Sequence, residues 1–378
     1  MDKVKVGIIG TGWIANAHIQ QYIRLQNEGK VEITAVCDLD IEKAKKFIAK
    51  YNIDVPCYKG HLEMLNNCEL DAVSICVYNC SHRECIIDSL AHGMNVLAEK
   101  PLCVTVDECL EIKEAVEKSD KLFTVGFQER YDANVMKIKE IVEQGQLGKI
   151  YYIQTGGGRS HNIPVRFGTT FIDKNTGGFG AVGDIGCYAL DIVLDAIGYP
   201  KPLSFSGFKT DYFGKQPLFY EEVGFPGEYA NVFGVDDFAA GFIRLENNIA
   251  LDFRISWAMN LDSPCDTIIM GTEGTLRIPA SDSWSRGIGG PLKLYRNNSG
   301  LLEVTCYPYY QTEEHIFYTK ISKFVGAILG SGEKLVDIKD IIVNQLIISG
   351  LVRSAELGRE IFLEELISDK PDALDNIF

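Results

Sequence analysis

The alternation of apolar and polar residues follows two different patterns along the chain. Up to about Phe127, short β-branched runs alternate with stretches of helical period. Strands are predicted at residues 4–10, 31–37, 71–77, 95–99 and 121–127, with helices at 15–28, 41–50, 82–92 and 106–118. Strands that alternate with helices of about 10–15 residues are typical of a parallel sheet with helices on both faces.

After about Gly148 the pattern changes to strands joined by turns. Strands are predicted at 151–155, 238–245, 249–257, 267–270, 292–295 and 303–306, with turn signals such as Glu246-Asn247-Asn248 and Glu273-Gly274. A helix is predicted from Asp184 to about Ile197, and a long amphipathic helix at about 338–357. The pattern therefore predicts an α/β domain at 1–127 and, at 128–378, an α+β domain with a large, mostly antiparallel open sheet.

Composition narrows the class of protein. The chain has 378 residues, a formal net charge of −15 and 11 cysteines. An acidic surface repels phosphate backbones and anionic lipids, so nucleic acid and membrane are not expected as partners. The odd number of cysteines and a first strand at the N-terminus, with no room for a signal peptide, predict a cytoplasmic protein with free thiols.

A glycine loop follows the first predicted strand. The run Gly10-Thr11-Gly12-Trp13-Ile14-Ala15 is a GxGxxG pattern with alanine in its last place, and it opens a helix. Asp38 ends the second strand, where an acid accepts hydrogen bonds from the ribose hydroxyls of adenosine and repels a 2′-phosphate. Together these features predict an NAD-binding Rossmann domain at 1–127, with Gly10, Gly12, Trp13, Ile14 and Asp38 at the cofactor.

Two further patterns contain residues that could take part in catalysis. Glu99-Lys100-Pro101 lies at the carboxyl end of a predicted parallel strand, the edge where such sheets bind ligands. In the glycine-rich run from Gly177 to Tyr188, Asp184 and Tyr188 are four residues apart, which would place both on one face of a helix. A lysine ammonium, a carboxylate and a phenol in these positions predict proton transfer at a substrate.

The sequence resembles the Gfo/Idh/MocA (glucose-fructose oxidoreductase / inositol dehydrogenase) family over essentially its whole length. The resemblance rests on five stretches in the family's order, which are the glycine loop, Asn79-Cys80-Ser81-His82, Glu99-Lys100-Pro101, Gly126-Phe127-Gln128-Glu129-Arg130, and Gly183 to Tyr188 with Leu190-Asp191. It implies a sheet domain that binds substrate, and a C-terminal helix, at about 338–357, that packs back on the first domain.

The resemblance also implies roles for single residues. Lys100 and Asp184 would lie at the substrate carbinol, and Asn79, His82 and Glu99 would help to hold the nicotinamide half of NAD, with Gln128 also at the cofactor. Many family members have histidine four residues after this aspartate, whereas this chain has Tyr188, a residue that other members use. The proton acceptor is therefore Tyr188 or Lys100.

Other polar groups are weaker signals. Cys76, Cys80, His82 and Cys85 lie within ten residues, but a strand followed by a helix would spread them apart, so we expect no metal site. Arg159 and His161 precede the glycine-rich run and are predicted to line the substrate site. The aromatic segment 211–235 looks like an insertion that either covers the pocket or forms a subunit contact.

The predicted function is NAD-dependent hydride transfer between a secondary alcohol of a sugar, polyol or glycoside and the nicotinamide. Two alternatives stay open at this point. One is an NAD-recycling glycosidase that acts through C3 oxidation and elimination, and the other is a non-catalytic dinucleotide-sensing regulator. An open sheet with one uncovered apolar face also predicts a homodimer or homotetramer.

Overall fold

The computed structural model describes residues 3–166, 168–261, 265–280, 288–311, 315–367, 374 and 377–378. Its described residues divide into two compact units, which lie within Met1–Gln128 and Glu314–Ile342 and within Glu129–Glu313 and Val343–Phe378. We call them the N-terminal unit and the sheet unit. All residues after 127 are predicted to form a second domain, whereas the structure groups Gln128 and Glu314–Ile342 with the N-terminal unit.

The strands of the two units are numbered in chain order. They are β1 (Val4–Ile9), β2 (Val31–Cys37), β3 (Cys57–Tyr58), β4 (Ala72–Ile75), β5 (Asn95–Ala98), β6 (Phe123–Val125), β7 (Ile150–Gly158), β8 (Pro202–Thr210), β9 (Phe238–Leu245), β10 (Ile249–Ser256), β11 (Thr267–Gly271), β12 (Thr275–Ile278), β13 (Lys293–Asn298), β14 (Leu301–Cys306) and β15 (Ile361–Phe362).

The α-helices follow the same order. They are α1 (Trp13–Asn27), α2 (Ile41–Tyr51), α3 (His61–Asn67), α4 (His82–Ala91), α5 (Val106–Lys118), α6 (Ala133–Glu143), α7 (Lys174–Gly177), α8 (Ala181–Asp184), α9 (Gly186–Ile197), α10 (Pro217–Glu221), α11 (Ile316–Ile328), α12 (Ile338–Leu357) and α13 (Leu363–Leu366). None of the helices in the described part of the chain is long and apolar enough to cross a bilayer.

The N-terminal unit contains a parallel sheet. Among the described residues its strand order is β3-β2-β1-β4-β5-β6, and all of these neighbours pair in parallel. The doubly wound α/β fold predicted for this region is confirmed. Its core includes buried residues of β1, β2, α1 and α2, together with Ile321, Phe324 and Val325 of α11, a helix that the sequence analysis did not predict.

The sheet unit is built on a larger sheet with the order β14-β13-β12-β11-β7-β10-β9-β8-β15 among its described strands. All neighbours are antiparallel except β7 and β10, which are parallel. The mostly antiparallel sheet is thus confirmed. Alternate residues of β10, from Ile249 to Ile255, are buried on one face, and α9 packs against β7 and β10. At the β9–β10 turn, Asn247 and Asn248 adopt positive φ, which asparagine tolerates well.

Candidate active site

The glycine loop of the N-terminal unit has the backbone that a phosphate site needs. Gly10 has φ of +88°, and a Cβ there would lie 2.7 Å from the carbonyl oxygen of Cys76. Gly12 caps α1, and a Cβ there would meet nothing within 4 Å. The first turn of α1 contains no acidic residue. The positive end of the helix dipole therefore lies at an uncrowded glycine, which suits a pyrophosphate.

Asp38 is fixed beside this loop. Its Oδ2 accepts hydrogen bonds from the backbone N–H (2.9 Å) and the hydroxyl (2.7 Å) of Thr11, and its Oδ1 accepts one from the N–H of Asp40 (2.9 Å). Asp38 also lines a pocket with Gly10, Gly12 and Tyr78. The two elements of the predicted dinucleotide site, the glycines and the acid, thus lie together within the N-terminal unit.

Trp13 and Ile14, the other loop residues assigned to the cofactor, form the first turn of α1. Trp13 is exposed and Ile14 is half-buried. Asn79 lies in a short 3-10 helix after β4 and is half-buried, and α4 begins at His82. These residues surround the carboxyl ends of β1 and β4, the edge at which parallel sheets bind ligands.

His82 is fully buried behind the Lys100–Pro101 segment. Its Nδ1 lies 2.7 Å from the carbonyl oxygen of Pro101, and within the described residues its Nε2 has no hydrogen-bond partner. Burial lowers the pKa of His82. Lys100 itself, the second residue after β5, is half-buried. His82 therefore holds the backbone next to Lys100.

Glu99 belongs to a buried charged cluster that the sequence did not indicate. Its Oε1 is 2.8 Å from Nε2 of His18 and 2.5 Å from Nζ of Lys320, and Lys320 lies 3.5 Å from Oε1 of Gln128. Burial by itself raises the pKa of the Glu99 carboxyl, but Lys320 and His18 outweigh it and hold that pKa below its ordinary value. Burial, and then the Lys320 charge, lower the pKa of His18.

In the sheet unit, Asp184 is held by two donors from distant parts of the chain. Its Oδ2 accepts a hydrogen bond from the indole N–H of Trp257 at 3.0 Å and one from Nη2 of Arg159 at 3.2 Å. Asp184 is 7% exposed and Trp257 is fully buried. The structure thus brings together Arg159 and Asp184, both predicted site residues, and adds Trp257, which sequence analysis missed.

The helix predicted from Asp184 to Ile197 is not continuous. Asp184 ends α8 and Tyr188 lies in the first turn of α9, and Ile185 stands between the two helices with φ of −112° and ψ of −21°. The prediction of one continuous helix from Asp184 to Ile197 is therefore wrong, whereas a common face for Asp184 and Tyr188 stays a prediction. Glycine is a weak helix former, and a Cβ on Gly186 would lie 2.9 Å from the Phe253 ring, so close packing against β10 takes precedence over a regular helix.

His161 is held by the aromatic insertion at 211–235. Its ring stacks on Phe219 of α10, with centroids 4.0 Å apart and planes inclined by 28°, and its Nδ1 is 3.2 Å from Oδ1 of Asn260. The insertion is anchored in turn, because the carboxylate of Asp237 accepts a hydrogen bond from the N–H of Gly214 at 2.8 Å. The insertion thus packs on the loop that carries Arg159 and His161.

Arg130 and Asp191, two residues of the family-like motifs, form a buried bidentate ion pair in the sheet unit at 2.9 and 2.8 Å. It joins α9 to the 3-10 turn that contains Arg130. For the cysteine-rich stretch, Cys85 lies 3.7 Å from Nδ1 of His61, and the described part of the chain contains no group of three or more His, Cys, Asp or Glu side chains that could hold a metal ion.

Two family models match successive parts of the chain. One, described as an oxidoreductase family with an NAD-binding Rossmann fold, matches residues 4–127, and one described as the GFO/IDH/MocA C-terminal domain matches residues 135–277. The chain belongs to the Gfo/Idh/MocA family. As a Gfo/Idh/MocA protein it is an NAD-binding oxidoreductase of the sugar and polyol type, which confirms the predicted enzyme class and cofactor.

One curated relative and one solved structure match almost the whole chain, and another relative matches part of it. A D-glucoside 3-dehydrogenase of Escherichia coli (strain K12) is 25% identical over 363 residues, which cover 96% of this Gfo/Idh/MocA chain and 98% of the relative. An inositol 2-dehydrogenase of Burkholderia cenocepacia (strain HI2424) is 33% identical over 146 residues, 38% of this chain and 43% of that relative. The solved structure of an oxidoreductase domain protein from Kribbella flavida has a TM-score of 0.79 at 19% identity, and the match covers 96% of this chain and 100% of that one.

Proposed function

We propose that this protein oxidises a secondary alcohol of a sugar or glycoside with NAD, in a reaction that also runs as ketone reduction. The observation that carries the proposal is the Asp184 carboxylate, which is almost fully buried and fixed by Trp257 and Arg159. A carboxylate held in this way suits the orientation of a hydroxyl group, because its acceptor lone pairs cannot reorient.

Each candidate residue has a role in this reaction. The Lys100 ammonium stabilises the developing alkoxide, Asp184 orients the reacting part of the substrate, and Tyr188 or Lys100 accepts the hydroxyl proton. NAD supplies the hydride chemistry when it is bound. Gly10 and Gly12 would hold its pyrophosphate and Asp38 its adenosine ribose, while Asn79, His82, Glu99 and Gln128 would serve the nicotinamide half.

For the substrate we propose a glucoside first. The support is the similarity to a D-glucoside 3-dehydrogenase over nearly the full length of both chains. Arg159 and His161 supply polar groups for sugar hydroxyls, and the stacked pair of His161 and Phe219 adds an aromatic surface in the same loop region. Proteins bind sugars by packing aromatic rings against them and by donating charge-assisted hydrogen bonds to their hydroxyl groups.

The test is a panel of glucosides, free sugars and inositols with NAD⁺, followed at 340 nm. We expect NADH formation with at least one glucoside, and none from the Asp184→Ala variant. Release of p-nitrophenol from a nitrophenyl glucoside without net NADH would instead show a recycling glycosidase. NAD⁺ binding with neither reaction across the whole panel would contradict the proposal in favour of a dinucleotide sensor.

We also propose that this protein forms a homodimer or homotetramer through the exposed face of the large sheet. Phe208 of β8 is 59% exposed and Phe242 of β9 is 38% exposed, and the strand register places both on the face opposite the buried residues of β10. Exposed aromatic groups on one face favour association. Light scattering that returns the monomer mass of 42.0 kDa at micromolar concentration would contradict this.

A further inference from the structure

We infer that Lys320 is a positioning residue for the cofactor, acting through Glu99 on the segment that carries Lys100. The inference rests on the proposed role of Glu99 and Lys100 at the nicotinamide half of NAD. It concerns the N-terminal unit alone. Lys320 lies 221 residues after Glu99 in the chain. It belongs to α11, a helix from the C-terminal part of the chain that is grouped with the N-terminal unit.

The contact is direct and closed to solvent. Nζ of Lys320 is 2.5 Å from Oε1 of Glu99, and Lys320 and Glu99 are 3% and 4% exposed. A Cβ on Gly126 would lie 2.9 Å from Oε1 of Glu99 and 3.0 Å from Nζ of Lys320, so the backbone of that residue closes over the pair. The two charged groups are therefore fixed by packing as well as by attraction.

Lys320 is the cation of this cluster, and His18 is its neutral member. His18 is fully buried and its pKa is lowered, first by burial and then by Lys320. A neutral His18 donates from Nε2 to Glu99, and its Nδ1 accepts from the hydroxyl of Ser74 at 3.1 Å. Without Lys320 the Glu99 carboxylate would stay buried beside an uncharged imidazole, which is an unfavourable position for a charge.

The backbone connects this cluster to the edge of the parallel sheet where NAD is proposed to bind. The N–H of Glu99 donates to the carbonyl oxygen of Ile75 at 3.0 Å, and Lys100 is the next residue. His18 belongs to α1, the helix that begins at the glycine loop. A buried ion pair contributes little stability compared with well-packed apolar groups. We therefore assign Lys320 to the placement of Glu99 and the backbone around Lys100.

The experiment compares two ligands of the full-length protein by calorimetry, NAD⁺ and ADP-ribose. ADP-ribose keeps the adenosine, the pyrophosphate and the second ribose but lacks nicotinamide. We expect Lys320→Met to weaken NAD⁺ binding about tenfold, the scale of one charge-assisted hydrogen bond, and ADP-ribose binding less than about twofold. Lys320→Arg, which keeps the charge, should restore most of the difference.

The matched control is Lys323→Met on the same helix. Lys323 pairs with Glu333 at the surface, where its side chain is 33% exposed, and its loss should change neither affinity. Glu99→Gln and the double variant Glu99→Gln/Lys320→Met should show the same NAD⁺ to ADP-ribose ratio, because Lys320 acts through Glu99. The double variant leaves no unpaired charge, so it also serves if Lys320→Met fails to fold.

An equal loss of affinity for both ligands, or no loss for either, would overturn the inference. So would a double variant whose affinity ratio differs from that of Glu99→Gln alone. Neither measurement needs a sugar or turnover, so failure of this inference is distinguishable from failure of the proposed reaction.

Discussion

The two units build their candidate sites in different ways. In the N-terminal unit, Gly10, Gly12 and Asp38 directly follow two neighbouring parallel strands, so the fold brings them together at one sheet edge. In the sheet unit, Asp184 depends on Arg159 and Trp257, which are 25 and 73 residues away in sequence. A site at strand ends is visible in local sequence order, whereas one made by long-range contacts needs the folded chain. Substitutions can test each kind of site separately.

The largest expected effect concerns turnover. Lys100→Ala and Tyr188→Phe should each lower kcat by about 10²–10⁴, the usual cost of removing an acid or base group. NAD⁺ affinity, measured by titration, should change little, because phosphate and ribose binding are assigned to the glycine loop and Asp38. If Tyr188→Phe keeps nearly full activity and an unchanged pH profile, the proton acceptor is Lys100. Full activity of Lys100→Ala would contradict the mechanism.

A second prediction compares the two loop glycines. Gly10→Ala should lower the free energy of unfolding by roughly 1–3 kcal/mol, because it forces a Cβ into a left-handed conformation and against the Cys76 carbonyl. Gly12→Ala has an ordinary φ and free space, so it should lower stability by less than about 1 kcal/mol, the scale of losing a favourable N-cap residue. NAD⁺ affinity should fall in the Gly12 variant all the same. Thermal unfolding measures the stability of each variant, and cofactor titration measures its NAD⁺ affinity. Equal unfolding temperatures for the Gly10 and Gly12 variants would refute this interpretation of Gly10.

A third prediction addresses the sheet unit. Trp257→Phe keeps an aromatic ring but removes the indole donor to Asp184, a charge-assisted hydrogen bond worth about 1.5–3 kcal/mol. We expect kcat/KM for the alcohol to fall about tenfold or more, with unchanged NAD⁺ affinity as the internal control. A variant with undiminished kcat/KM would show that Arg159 alone is enough to hold Asp184.

The smallest effect is a pH dependence of stability in the N-terminal unit. His18 and His82 are both buried with lowered pKa; His18 faces Glu99 and Lys320, and His82 faces the Pro101 carbonyl with Glu99 nearby. Below a pH of about 6.5, the unfolded chain binds protons that the folded protein excludes, so stability falls as pH falls, by roughly 1 kcal/mol for each histidine at pH 5.5.

Melting temperatures at pH 8 and pH 5.5 check this. His18→Gln should reduce the difference between the two values, and His92→Gln, at an exposed position, should leave it as it is. A wild-type protein equally stable at both pH values would mean that these histidines accept protons in the folded state.

Much of the N-terminal unit was predictable from local sequence. The observed bounds of β2 and α5 equal the predicted ones. At α5 the reason is a local signal, since Thr105 and Glu108, which are three positions apart, form a capping box. β8 was missed, because Pro202 and Gly207 lower its strand propensity and its stability comes from pairing with β9.

Sequence alone was enough to predict the alternation of strands and helices up to Phe127, the glycine loop, Asp38, and the presence of Lys100, Asp184 and Tyr188 in motifs of one family. These depend on hydrophobic period, turn chemistry and short spacings, which act between near neighbours. Long-range contacts determine that α8 ends at Asp184, that Trp257 and Arg159 hold its carboxylate, and that Lys320 pairs with Glu99. Those outcomes depend on side-chain volume, burial and charge at positions far apart in the chain, and no local pattern encodes them.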